Sequence, residues 1–153
     1  MESFELTYFC SKDLGRVNQQ AIIFMLRNGN FPIENRFEIE CFDEEDKDYV
    51  EIRISIYDLT ITEDNLHHFL NVLSVYASNV FKKVNSIQLA TGIYELTYYY
   101  TERHKRLTEF DENLLAKFPV IIIRNGKKHV NGEVVFQDES VICIYNESAQ
   151  FLY

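Results

Sequence analysis

Tryptophan is absent from the 153 residues, proline occurs twice and glycine five times. So little glycine and proline, beside a hydrophobic share of 46%, excludes a disordered or low-complexity chain. The glycines are isolated turn residues, which excludes a phosphate-cradling loop. Cysteine is scarce too: Cys10, Cys41 and Cys143 are odd in number and far apart, so reduced thiols are expected rather than a disulfide framework. No stretch approaches the ~18 consecutive apolar residues of a membrane span. The start, Met1-Glu2-Ser3-Phe4-Glu5-Leu6, has neither the basic residues nor the apolar run of a secretory signal. A cytoplasmic protein is the expectation.

Positive charge is missing from one place in particular. Residues 34–64 hold twelve acidic side chains against Arg36, Lys47 and Arg53, and so carry the whole formal net charge of −9. Elsewhere acids and bases cancel. A focused negative field attracts a basic partner and repels nucleic acid and anionic membrane.

Inside that window lies the clearest hairpin. Phe37, Ile39 and Cys41 alternate with Glu38, Glu40 and Phe42, and Val50, Ile52, Ile54 and Ile56 alternate with Glu51, Arg53 and Ser55. Period-two alternation predicts one buried face and one wet face. The link Asp43-Glu44-Glu45-Asp46-Lys47-Asp48 is too charged to bury and is expected to project as an anionic tip.

A long helix follows over about residues 62–84, with apolar side chains from Leu66 to Val84 at helical spacing, Thr60 or Thr62 as its cap, and Lys82 and Lys83 at its negative end. Residues 86–101 read as strand, and a change of apolar phase near Thr91-Gly92 predicts a bulge at Gly92. A basic loop, Arg103-His104-Lys105-Arg106, leads to a short helix over 108–118. Strands are predicted over 120–124, 133–137 and 140–145, with Asn125-Gly126 and Asn131-Gly132 as turns. Residues 3–10 alternate as a strand, and 17–27 fit a helix or a strand, with helix preferred. The expected fold is a single α+β domain: a mostly antiparallel sheet with one long helix and one or two shorter ones packed on it.

Chemistry-bearing patterns are few. Asp43, Glu45, Asp46 and Asp48 are hard oxygen ligands but lack the spacing of a calcium loop. His67 and His68 are helix neighbours ~100° apart and cannot face one metal ion. No cofactor or metal is expected. Nucleophilic catalysis needs a cysteine exposed beside a histidine; Cys41 and Cys143 sit in strand patterns, leaving Cys10 as the loose candidate. Tyr94, Tyr98 and Tyr100 share one strand face and would line a pocket in a small-molecule-binding or enzymatic domain. The basic segments 103–106 and 124–129 are solvated loops, or they meet the acidic hairpin of a second copy in a homo-oligomer.

The leading reading is a non-enzymatic binding protein with Glu38, Glu40, Asp43, Glu44, Glu45, Asp46, Asp48 and Glu51 supplying charge and Tyr49 an aromatic anchor. Small, acidic and without a catalytic motif, the chain resembles the immunity proteins with which bacteria neutralise toxins, many of them basic nucleases. That resemblance implies a basic toxin as partner, inhibited by occlusion of its substrate groove.

Overall fold

The computed structural model describes residues 3–14, 16–28, 33–93, 100–126, 131–147 and 149. Seven strands form one antiparallel sheet: β1 (Ser3–Ser11), β2 (Phe37–Asp43), β3 (Tyr49–Tyr57), β4 (Ile87–Ile93), β5 (Val120–Arg124), β6 (Glu133–Gln137) and β7 (Val141–Tyr145). Their order across the sheet is β2-β3-β1-β4-β5-β7-β6. Three α-helices lie wholly within the described residues, α1 (Gln19–Asn28), α2 (Leu66–Lys83) and the single turn α3 (Glu112–Leu115), with 3₁₀ turns at Lys12–Leu14 and Leu107–Glu109. The α+β architecture with one long helix is as the sequence predicts. Residues 17–27 resolve to helix.

Phe4, Leu6, Tyr8 and Cys10 of β1 and Val50, Ile52, Ile54 and Ile56 of β3 point to the face on which α1 and α2 lie. Phe69, Leu70, Leu73, Ala77, Val80 and Phe81 of α2 return that packing at three- and four-residue spacing. Helix α2 begins later than its pattern suggests. Asn65 folds its side chain back, accepting a hydrogen bond from the Thr62 amide (2.8 Å) and donating to the Thr60 carbonyl (3.0 Å), so residues 62–65 form a turn and neither threonine caps the helix. Lys82 and Lys83 do occupy its last turn.

The predicted bulge moves four residues. Phe9 pairs with Leu89 while Cys10 pairs with Ile87, so the extra residue is Gln88. Two residues of equal parity therefore face opposite ways, Ile87 toward α2 and Leu89 toward the other face. Gly92 serves a different need: a Cβ there would collide with the Phe4 ring and lie 3.1 Å from Val120 Cβ. The Phe4 ring occupies that space and meets Phe69 edge-on at 5.1 Å. The expected strand does not reach residue 101, since Tyr100 and Thr101 are helical; Tyr94 and Tyr98 lie outside the described residues. Nor does Asn125-Gly126 close a two-residue hairpin, because β7 inserts between β5 and β6.

The second face of the sheet is not uniformly wet either. Across β4, β5 and β7 it is apolar and covered by Phe110, Leu114, Leu115 and Phe118, the inward residues expected of a helix over 108–118. That segment is instead a 3₁₀ turn followed by α3, because Asp111 stops and restarts it by capping the Leu114 amide (2.9 Å). No helix among the described residues is long and apolar enough to cross a membrane.

Candidate functional site

At the β2-β3-β1 end the second face turns polar. Antiparallel register lines up three rows: Glu38, Ser55 and Glu5; Glu40, Arg53, Thr7 and Thr91; Phe42, Glu51 and Phe9. The alternation of β3 predicts a wet face here, yet Glu51, Arg53 and Ser55 are 5%, 8% and 6% exposed. β3 is the second strand of the seven and is flanked by β2 and β1, whereas β2, at the edge, keeps Glu38 and Glu40 exposed.

Arg53 is the centre of this polar end. Its Nη2 donates to Glu51 Oε2 (3.3 Å), its Nε lies 3.8 Å from Glu5 Oε2, and its guanidinium stacks 4.5 Å above the Phe42 ring. Burial pushes the Glu51 carboxyl above its usual range, and the charges of Arg53 and Lys47 oppose that shift. A recess of about 370 Å³ opens here, lined by Phe42, Glu44, Lys47, Glu51, Arg53, Thr101 and Glu102.

The tip of the hairpin does not project freely. Lys12 pairs with Asp43 (2.8 Å) and donates to the Glu44 carbonyl (2.8 Å), Gln19 donates to Asp43 (2.7 Å), and Lys47 pairs with Glu44 (3.0 Å). Lys105 pairs with Asp46 at 2.6 Å and holds its carboxyl below the usual range, while Asp48 accepts from the Leu107 amide (2.9 Å). The basic loop thus meets the acidic tip of its own chain. Coulomb attraction between segments 59 residues apart is satisfied within one molecule once the fold brings them together.

The residues singled out as a docking set therefore separate. Glu38, Glu40 and Glu45 are exposed and form no ion pair among the described residues; Asp43, Glu44 and Asp46 are exposed but paired. Asp48 is half-buried as a backbone acceptor, and Glu51 is buried against Arg53. Tyr49 is not at the surface: it is 1% exposed, meets Phe9 and Phe110 edge-on at 5.6 and 5.4 Å, and donates its hydroxyl to the His104 carbonyl. Tyr100 packs edge-on against Phe118 at 5.6 Å and does not line the recess.

Phe42, Arg53 and Glu102 escape the sequence reading. Phe42 carried a signal, since it is the apolar residue in the polar phase of β2, in step with Glu38 and Glu40, and it is 37% exposed. Arg53 and Glu102 carried none, because their proximity depends on the path of the chain between β4 and β5.

Cys10 is not the loose thiol that the strand end suggests. It is buried, and its thiol is pushed up to about 12, as burial pushes Cys143 to about 11. Cys41 is half-buried and donates to Gln19 Oε1 at 3.1 Å. A thiol reagent is expected to modify Cys41 alone in the native protein and all three cysteines after unfolding; a second thiol reacting at the native rate of the first would contradict the burial. Among the described residues no three His, Cys, Asp or Glu side chains converge as a metal site. Comparison with protein-family models, with curated proteins and with solved structures finds no match to this chain.

Proposed function

We propose that the chain is a non-enzymatic binding protein that docks a basic protein through the outer face of β2 and the β2–β3 tip. The observation that supports this reading is the set of exposed carboxylates on Glu38, Glu40 and Glu45, which form no ion pair among the described residues, with the exposed ring of Phe42 on β2 in the same phase as Glu38 and Glu40. Charge at the rim with an aromatic side chain in the middle is the composition of a protein interface, and Phe42 takes the anchoring role first given to Tyr49. Association would be steered by the field and weakened by salt. The resemblance to immunity proteins suggests a basic toxin as the partner class and occlusion of its substrate groove as the mechanism.

The test uses the exposed acids and leaves the paired ones intact. Tagged protein is recovered from its native cells at low and moderate salt beside a variant carrying Glu38→Gln, Glu40→Gln and Glu45→Gln. The expected result is a basic protein retained by the wild type, released by salt and lost by the folded variant. Equal retention by both, or none by the wild type, overturns the reading.

A further inference from the structure

The recess beside Arg53 has an unfilled demand for acceptors. A guanidinium carries five N–H donors, and burying them unpaired is costly. Arg53 is 8% exposed; among the described residues its Nη2 alone donates a hydrogen bond and its buried Nε has no hydrogen-bond partner. Glu5, at 3.8 Å from Nε, is close enough for attraction but not for a hydrogen bond. The same guanidinium lines the 370 Å³ recess. Deeper along its row, the Thr7 and Thr91 hydroxyls are fully buried and likewise without a hydrogen-bond partner among the described residues.

The remaining walls carry the opposite charge. Glu51 already faces Arg53 and accepts from the Thr101 hydroxyl (3.5 Å), and Glu44 is held by Lys47. Glu102 stands exposed at the mouth with no ion pair among the described residues. A simple anion entering the recess meets these carboxylates, and a simple cation meets Arg53 and Lys47. A molecule bearing both charges satisfies both walls, and planar carboxylates match the guanidinium fork.

We infer that the recess is a binding site for a small zwitterion of the α-amino-acid class, with its carboxylate on the Arg53 guanidinium and its ammonium group toward Glu51 and Glu102. This inference does not rest on the docking of a basic protein, and its test contains no partner.

The purified chain is titrated calorimetrically with each of the twenty free amino acids at up to roughly millimolar concentration, beside propionate and propylamine, which carry one charge each. At least one amino acid is expected to bind saturably, and the two single-charge probes about tenfold more weakly. Glu102→Gln, an exposed change, is expected to weaken that binding about tenfold, and Arg53→Lys to abolish it. No saturable binding by any amino acid overturns the site. Propionate or propylamine binding equally well overturns the zwitterion. Unchanged affinity in folded Glu102→Gln overturns the assigned orientation, and that variant decides the matter if Arg53→Lys does not fold.

Discussion

Phe110→Ala is expected to lower the free energy of unfolding by about 3–5 kcal/mol, the range for truncating a fully buried phenylalanine. The ring is 1% exposed and stands edge-on to Phe9 (5.0 Å), Tyr49 (5.4 Å) and His104 (5.8 Å), so its loss leaves a cavity bordered, among the described residues, by aromatic side chains from three segments. Those neighbours belong to β1, β3 and the basic loop, and cannot all collapse into the space at once. Urea unfolding reads the effect as a fall in midpoint at unchanged slope. Val75→Ala, at an exposed position of α2, is the control and should stay within about 0.5 kcal/mol. A Phe110→Ala cost as small as the control would mean that the 107–118 segment is not a second core. The same cavity removes the support of Tyr49, whose hydroxyl holds the His104 carbonyl, and so loosens the loop that carries Lys105 to Asp46.

Arg53→Met should cost a similar amount, about 3–5 kcal/mol near neutral pH, for an electrostatic reason. The substitution keeps an unbranched apolar stem but strips the buried Glu51 carboxylate of its hydrogen-bonded cation, and breaking one partner of a buried pair leaves a poorly compensated charge. Adding Glu51→Gln should recover part of the loss, because the double variant buries one ionised carboxylate fewer.

The pH dependence follows from the direction of the Glu51 shift. Burial raises its folded-state pKa above the ordinary 4.5, so its contribution is most favourable below the unfolded value and is lost as pH rises through the folded one. In wild type Arg53 opposes that rise. Without Arg53 the folded value climbs further, so the deficit of Arg53→Met relative to wild type should open as pH rises through the wild-type folded value, itself above the ordinary 4.5, and close as pH falls below it. A deficit independent of pH would assign the cost to lost packing against Phe42 rather than to charge.

Much of the architecture was legible in local pattern. The alternation of residues 3–10, 37–42 and 50–56 places three strands, and the three- and four-residue spacing from Leu66 to Phe81 places the long helix. Each of these elements buries a continuous apolar face, and such a face repeats with the period of the backbone that carries it. Boundaries were less legible where one polar side chain redirected the backbone: Asn65 delays α2, and Asp111 divides the 107–118 segment. The bulge at Gln88 left no mark in its own composition. Its effect appears only as Ile87 and Leu89 facing opposite sides of the sheet.

The candidate site divides along the same line. Sequence by itself determined the α+β class, the acidic hairpin and the identities of its charges, because pattern and composition are properties of neighbouring residues. Only the tertiary structure decided which of those charges meet water. Glu38 and Glu51 look alike in alternating strands, but one lies on the edge strand β2 and the other on the covered strand β3. Lys12 and Lys105, distant in sequence, neutralise Asp43 and Asp46. Burial and ion pairing depend on which segments the whole fold brings together, and no local period encodes that.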